Sequence, residues 1–216
     1  MPNNDNYFHL PGVSNSDLTA LKNELSGREL PDMTDAFRFG TLIDAMITEP
    51  HRIDWWRKLI DGEPVEPIEW NKAKRMYDAF RNNNTCKSII ASAIFQKVSQ
   101  TDRLFDWNGL EFWLPVRCKW DFFGHISGDI KSTAATTQKQ FEAACQHFDY
   151  YRSRAWYMDI EKTNRDVIIG ISKVNYKIFF VKIERGDANH TQGVQDYTDL
   201  ALKWWVLKGD YILNQN

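Results

Sequence analysis

The chain has 216 residues, of which 43% are hydrophobic and 26% charged, and its formal net charge is −2. This composition is ordinary for a globular protein, and the near-zero charge excludes nucleic-acid binding by the whole surface, so any such binding needs a local patch. No apolar run is long enough to cross a bilayer and the N-terminus lacks a signal-peptide core, so we expect no membrane contact.

The first part of the chain has the pattern of helices. Ser14 and Asp17 stand in capping-box spacing and begin a first helix, which ends near Gly27. A loop through Pro31 and Thr34 follows. Further helices are then predicted over 35–48 and 69–82, with a linker between them. A short helix or helical turn is predicted over 87–95.

The pattern changes to a strand period after residue 95. Asn108-Gly109 is a strong two-residue hairpin signal between strands over 98–107 and 110–122. Extended without a slip, this hairpin places Gln96 opposite Asp121, unless Pro115 introduces a bulge. The remaining predicted elements are a strand over 128–132, a long helix over 137–161, strands over 166–172 and 176–184, and a final helix over 192–208.

This order of elements predicts an α/β (α+β) fold with a mixed central sheet flanked by helices. Residues 1–95 would form a helical N-terminal portion, and residues 96–216 a sheet core with a long helix and a terminal helix. We therefore expect a single domain over 1–216. The three cysteines form no CxxC pair and no zinc pattern, which favours a reduced, cytoplasmic setting.

The stretch KWDFFGHISGDIKST, residues 119–133, carries the residues that point most clearly to chemistry. A loop over 124–126 would place Asp121 opposite Asp129 on the next strand, and Lys119 opposite Lys131. Like charges across a strand pair repel each other, so two carboxylates there favour a bound divalent cation. A lysine beside such a cation could polarise a water for phosphodiester hydrolysis. Two solvated acids on an edge hairpin are the alternative.

Five short motifs follow one another between residues 12 and 159. They are GVSNSDL (12–18), FRFGTLIDAMITEP (37–50), CKWD (118–121), GDIKST (128–133) and YYRSRAWYMD (150–159). They resemble, in the same order, GVSKSxL, RFGTAxHxxxLEP, CKxRPDW, xIDLKTT and YxxQAAFYLD of the exodeoxyribonuclease VIII (RecE-type) exonucleases. That family belongs to the PD-(D/E)XK nuclease superfamily.

The resemblance implies a restriction-endonuclease-like fold and a DNA nuclease, specifically an exonuclease of phage or mobile-element recombination or repair, that depends on Mg²⁺ or Mn²⁺. By motif position, Asp121 and Asp129 would bind the metal together with the carbonyl of Ile130, and Lys131 would orient the attacking water. Asp44 would extend the metal site from the helix. The implied partners are DNA, a single-strand annealing protein and further copies of the chain in a ring or dimer.

The chain departs from the family pattern at several positions. Asp44 replaces a histidine, and it is either a ligand for a hard cation or a solvated residue on the polar side of its helix. Ser153 replaces a glutamine, while Tyr157 is kept. We expect contacts with DNA from Arg154, Tyr157, Ser153 and Lys119. The alternative is that Arg154 lies on a solvated, charged face of its helix.

An acid that the family carries on the strand before Asp121 has no clear counterpart. Glu111 lies ten residues from Asp121 on the same strand, roughly 33 Å away. Gln96 and Gln100 are nearer, so one acidic ligand is expected to be missing. The sequence therefore leaves open a second hypothesis, a catalytically silent relative that binds nucleic acid or protein. A third is a structural module whose tryptophan doublets form an interface.

Overall fold

The computed structural model describes residues 4–27 and 34–213. The helices are α1 (Asn15–Ser26), α2 (Thr34–Thr48), α3 (Pro67–Asn82), α4 (Asn84–Ile90), α5 (Gln138–His147), α6 (Tyr150–Glu161) and α7 (Ala188–Leu213). The strands are β1 (Ile53–Asp54), β2 (Leu59–Ile60), β3 (Glu63–Pro64), β4 (Ile94–Trp107), β5 (Leu110–Phe123), β6 (Ser127–Thr133), β7 (Arg165–Ser172) and β8 (Ile178–Glu184). Residues 28–33 of the predicted loop before α2 lie outside the described part.

The predicted fold class is confirmed: the chain is mixed α/β with a helical N-terminal portion. The main sheet has the strand order β4-β5-β6-β7-β8, in which β6 and β7 are parallel and the other neighbours antiparallel. The chain passes from β6 to β7 through α5 and α6, because parallel neighbours need a crossover connection. The small antiparallel sheet β1-β2-β3 was not predicted and lies in the stretch interpreted as a linker.

The β4–β5 hairpin has the predicted register over its whole length. Trp107 pairs with Leu110 beside the turn, and Ile94 pairs with Phe123 at the far end. Pro115 pairs with Asp102 without a bulge, so the alternative of a slip at the proline is wrong. Gln96 and Asp121 fall opposite each other in this register but do not pair in the ladder, and Gln96 has a left-handed φ of 54°.

The N-terminal helix is capped as predicted and is joined to the sheet by the residues before it. The Oγ of Ser14 accepts from the N–H of Asp17 at 3.2 Å, and Oδ2 of Asp17 accepts from the N–H of Ser14 at 2.8 Å. Val13 pairs in parallel with β5: its N–H donates to the Pro115 carbonyl at 2.8 Å, and its carbonyl accepts from Arg117 at 2.9 Å. These bonds fix where α1 begins relative to β5.

The prediction of one long helix over 137–161 is wrong in one respect, because the structure has two helices there, α5 and α6. Asp149 between them has a φ of 57°. Asp tolerates this left-handed conformation better than most residues do. The conformation is held from outside the helix by an ion pair with Lys22 of α1 at 2.6 Å, and Arg152 lies 3.3 Å from the same carboxylate. The break therefore has a tertiary cause that helical periodicity does not record.

Both faces of the sheet are covered. Helices α2 and α3 bury Phe122 and Ile130 on one side, whereas α6 and α7 bury Trp120 and Val116 on the other. In residues 4–27 and 34–213, no helix combines the length and the apolar character that crossing a membrane requires.

A close approach of α7 to α6 gives a test of this packing. A Cβ on Gly193 would lie 2.5 Å from the carbonyl oxygen of Tyr151 and 2.8 Å from the Cβ of Ala155. We expect Gly193→Ala to lower the free energy of unfolding by about 1–3 kcal/mol, because the two helices would have to separate. Urea unfolding followed by circular dichroism measures this.

The matched control is Gly209→Ala in the same helix, where nothing lies within 4 Å of the added methyl group. That change should be neutral or should stabilise by up to about 1 kcal/mol. Equal effects of the two substitutions would contradict the packing described for α6 and α7.

Candidate functional site

Two acids meet where β5 and β6 begin to separate. The strands pair through Phe122 and Gly128, which is the predicted register and brings Asp121 and Asp129 to neighbouring positions beyond that pair. The Oδ2 of Asp121 accepts from the backbone N–H of Ile130 at 2.7 Å, so the side chain spans the gap between the strands. The expected pairing of Lys119 with Lys131 does not form in the described chain, because the ladder ends at Phe122 and Gly128.

Asp129 lies between two cations. The Nζ of Lys131 is 2.6 Å from Oδ2 of Asp129, and Nη1 of Arg154 is 3.6 Å from Oδ1. The Arg154 contact is longer than a hydrogen bond, and among the described residues Oδ2 of Asp129 and Nη1 of Arg154 are buried without a hydrogen-bond partner. The side chain of Lys131 remains 31% exposed, so the site opens to solvent on the lysine side.

Asp44 reaches the same place from α2. Its Oδ1 accepts from the hydroxyl of Thr48 at 3.1 Å, and its Oδ2 accepts from the amide of Gln96 at 3.1 Å. The Gln96 amide also donates to Thr48 at 2.7 Å, which closes a triangle of three side chains. Asp44 is therefore partly buried and hydrogen-bonded on the side of α2 that faces β4.

The electrostatics show that the acids and the lysine form one group. Burial raises the pKa of Asp121 well above its ordinary value, and the charges of Asp129 and Asp44 raise it further. Burial likewise raises the pKa of Asp44, against the opposing effects of Thr48 and Lys131. Burial opposes the charge on Lys131, but Asp129 and Asp121 together hold its pKa above the ordinary value. The structure thus brings together all four side chains for which a metal or catalytic role was predicted.

The charges in this group do not balance. When ionised, the carboxylates of Asp44, Asp121 and Asp129 face one ammonium, that of Lys131. The nearby arginines are committed elsewhere, because Arg154 binds Asp166 at 2.8 Å and Arg52 binds Glu49 at 2.9 Å. Two negative charges are therefore left for protons or a cation to neutralise.

Two residues at the site were missed by the sequence analysis. Glu49 was interpreted as the end of α2, yet it is 2% exposed and its charge contributes to the raised pKa of Asp44. Thr48 was not singled out, although its place four residues after Asp44 on one helix is a signal that the two side chains meet.

The residues predicted to contact DNA lie in different environments. Arg154 is 1% exposed and makes a bidentate contact with Asp166, which is 0% exposed. The rings of Trp120 and Tyr157 cover its guanidinium at 4.7 and 4.5 Å. The guanidinium of Arg154 is therefore enclosed in the fold, and this arrangement leaves it no access to DNA. Ser153, Tyr157 and Lys119 are partly exposed.

The donor chemistry of the site fits a hard divalent cation. Asp44, Asp121 and Asp129 offer carboxylate oxygens, the ligands that Mg²⁺ and Mn²⁺ prefer, and the excess charge matches a dication. Within the described part of the chain, however, no three side chains of His, Cys, Asp or Glu are already gathered for a metal ion. Lys131 supplies the positive charge at Asp129 instead, so cation binding requires the lysine to move off that carboxylate.

A pH-dependent test follows from the raised pKa of Asp121. Because the folded state favours the protonated acid, this contribution to stability is complete below the ordinary pKa of 3.8 and is lost as the pH rises through the raised folded value. Asp121→Asn removes the charge and keeps the acceptor for Ile130. In EDTA at pH 8 we expect the variant to melt about 2–4 °C above the wild type, the shift that about 1 kcal/mol produces.

The difference should shrink as the pH is lowered toward 4, where the wild-type acid is protonated as well. Asp102→Asn, an exposed carboxylate on β4, should show no such pH-dependent difference in thermal denaturation. A variant that melts below the wild type at pH 8 would show that the charged form of Asp121 stabilises the fold.

Comparisons with known proteins complete the description. No family model matches the sequence, and no curated protein matches it. Among solved structures, SSO0001 has 11% identity and a TM-score of 0.38, and the aligned region covers 63% of this chain and 61% of that one. A phage-related exonuclease from Haemophilus somnus 129PT has 11% identity and a TM-score of 0.36, with 76% and 92% covered. Function is therefore inferred from the side chains of the site.

Proposed function

We propose that the chain is a metal-dependent nuclease that hydrolyses phosphodiester bonds in DNA at the site of Asp44, Asp121, Asp129 and Lys131. The observation that supports this proposal is the excess of carboxylates around one lysine, with Asp129 buried and Asp44 and Asp121 partly buried. Buried like charges are costly unless they are paired or bind a metal, so a fold that keeps three such groups together needs a function for them. Metal-assisted phosphoryl transfer uses this combination of oxygen ligands and a cationic side chain.

Each side chain has a role in the proposal. Asp121 and Asp129 would hold Mg²⁺ or Mn²⁺ together with the carbonyl of Ile130, and Asp44 would complete the set from α2. The bound ion would supply a Lewis acid for the scissile phosphate. Lys131, released from Asp129, would orient the attacking water and offset the charge that develops on the phosphate oxygens.

The finer features of the proposal come from the motif resemblance described above. They are exonuclease rather than endonuclease action, a place in phage or mobile-element recombination or repair, a cytoplasmic setting, a single-strand annealing protein as partner, and self-association.

A second candidate function is favoured by Gln96. This residue stands opposite Asp121 and donates its amide to Asp44, at the place where the resemblance leads one to expect another acid. The side-chain amide of Gln96 carries no charge that could neutralise a cation. Its hydrogen bond also occupies an oxygen of Asp44 that a metal would need. A catalytically silent protein that binds nucleic acid or a protein partner is the alternative that this contact supports.

The first experiment compares Asp129→Asn with the wild type. Calorimetric titration with Mg²⁺ and Mn²⁺, followed by digestion of linear duplex DNA in the same buffer, measures binding and hydrolysis separately. We expect the variant to lose metal binding and at least about 100-fold in hydrolysis, since in this proposal Asp129 is a metal ligand, and it also contacts Lys131. Asp106→Asn at the remote end of β4 is the matched control and should behave as the wild type.

The possible outcomes separate the two candidate functions. Metal binding by the wild type without digestion would favour the silent protein. If the wild type binds neither ion, the nuclease proposal is wrong.

A second experiment converts Gln96 into the missing acid. Gln96→Glu adds a fourth carboxylate beside Asp44, so the melting temperature in EDTA should fall by about 2–4 °C, the effect of about 1 kcal/mol of repulsion. Excess Mn²⁺ should then raise the melting temperature more than it does in the wild type, because a metal bound only by the folded state stabilises it.

Gln100→Glu is the control, since Gln100 is exposed on the same strand and pairs with Arg117. Its response to Mn²⁺ should equal that of the wild type. A Gln96→Glu protein whose stability does not respond to Mn²⁺ would contradict a metal position beside Asp44.

A further inference from the structure

The break between α5 and α6 carries a row of aromatic rings that the proposed chemistry does not use. His147 meets Phe148 edge to face with ring centroids 4.8 Å apart, and Phe148 stacks on Tyr150 at 5.8 Å with 27° between the planes. Phe148 is 54% exposed. We call His147, Phe148 and Tyr150 the aromatic row.

The inner end of this row contacts the candidate site. The Nζ of Lys131 lies 5.3 Å from the centroid of the Tyr150 ring and 2.6 Å from Asp129. Tyr150 is partly exposed, as is Lys131. The aromatic row, the ammonium of Lys131 and the carboxylate of Asp129 therefore lie next to one another, in order from the solvent to the acids.

The turn that presents the row is held firmly. Asp149 has a left-handed φ of 57°, and Lys22 and Arg152 bind its carboxylate. A non-glycine residue in this conformation persists only where its surroundings hold it. The fold thus maintains a left-handed turn that leaves a large ring facing the solvent.

We propose that the aromatic row is a stacking platform for a nucleobase of a single-stranded DNA segment whose backbone enters the site at Lys131. This inference rests on the proposed function for the identity of the strand. It goes further by naming the substrate as an unpaired strand or strand end, because a base inside a duplex does not present its face to a protein ring.

Three features favour a nucleobase over an apolar protein partner. A ring face stacks with any base regardless of sequence, and a nearby lysine suits the adjoining phosphate. Phe148 is flanked in the chain by His147 and Asp149, whose side chains are polar, so its neighbours along the turn do not extend the apolar surface of its ring. The aromatic row also ends beside the acids, because its Tyr150 ring contacts Lys131.

Binding of a labelled single strand of about 12 nucleotides, within the usual site sizes, tests the platform by fluorescence anisotropy in EDTA. We expect Phe148→Ala to weaken binding by about tenfold, the effect of losing one stacked base. Phe148→Trp should keep the affinity, whereas Phe148→Leu should lose it as alanine does, because leucine is apolar but cannot stack. Phe8→Ala, at a phenylalanine that is 76% exposed beside the N-terminus, is the matched control and should bind as the wild type.

A 2-aminopurine base at the end of the strand gives a direct measure of stacking. Its fluorescence should be quenched by the wild type and by Phe148→Trp, and not by Phe148→Ala. The platform is contradicted if the leucine and alanine variants bind and quench as the wild type does, or if Phe8→Ala weakens binding equally.

The same oligonucleotide separates this proposal from the catalytic one. If Asp129→Asn abolishes hydrolysis while the Phe148 variants bind normally, only the platform is wrong. If the wild type hydrolyses nothing and the Phe148 variants still lose the strand, the platform stands and the catalytic proposal fails.

Discussion

The close contact of three strands at Gly128 determines the geometry of the site. A Cβ at this position would overlap the carbonyl oxygen of Val167 on β7 and lie 2.5 Å from the ring of Phe122 on β5. Only a glycine lets the backbone of β6 approach both neighbours this closely. Because Phe122 and Gly128 form the pair from which β5 and β6 diverge, this contact sets where Asp121 and Asp129 lie. A shift by one residue would turn each carboxylate to the opposite face of the sheet.

The site combines a rigid frame with an unbalanced charge. Its acids come from three elements, α2, β5 and β6, and each carboxylate already has a partner: Gln96 and Thr48 for Asp44, the N–H of Ile130 for Asp121, and Lys131 for Asp129. Each carboxylate therefore has a local partner, but the net charge of the site remains negative. A cation that replaced several of these weak partners at once would stabilise such a site.

Local signals predicted much of the fold. The Asn108-Gly109 turn and the loop over 124–126 fixed both registers, and the capping box fixed the start of α1, because turns and caps depend on residues close in sequence. Features that depend on distant partners were missed. The buried state of Arg154 requires Asp166 on β7, and the helix break at Asp149 requires Lys22 on α1. Strands β1 to β3 have two residues each, too few to show a period.

The contact between Lys22 and Asp149 joins residues 127 positions apart in the chain. Contacts of such long range form late, since closing a loop of that length costs entropy that only the assembled sheet and its helices repay. Helix α1 precedes the main sheet in the chain, yet its lysine finds a partner only after the strands of the acid-bearing hairpin and the start of the crossover helices have emerged. The turn that carries Phe148 therefore depends on a side chain from α1, a distant part of the chain.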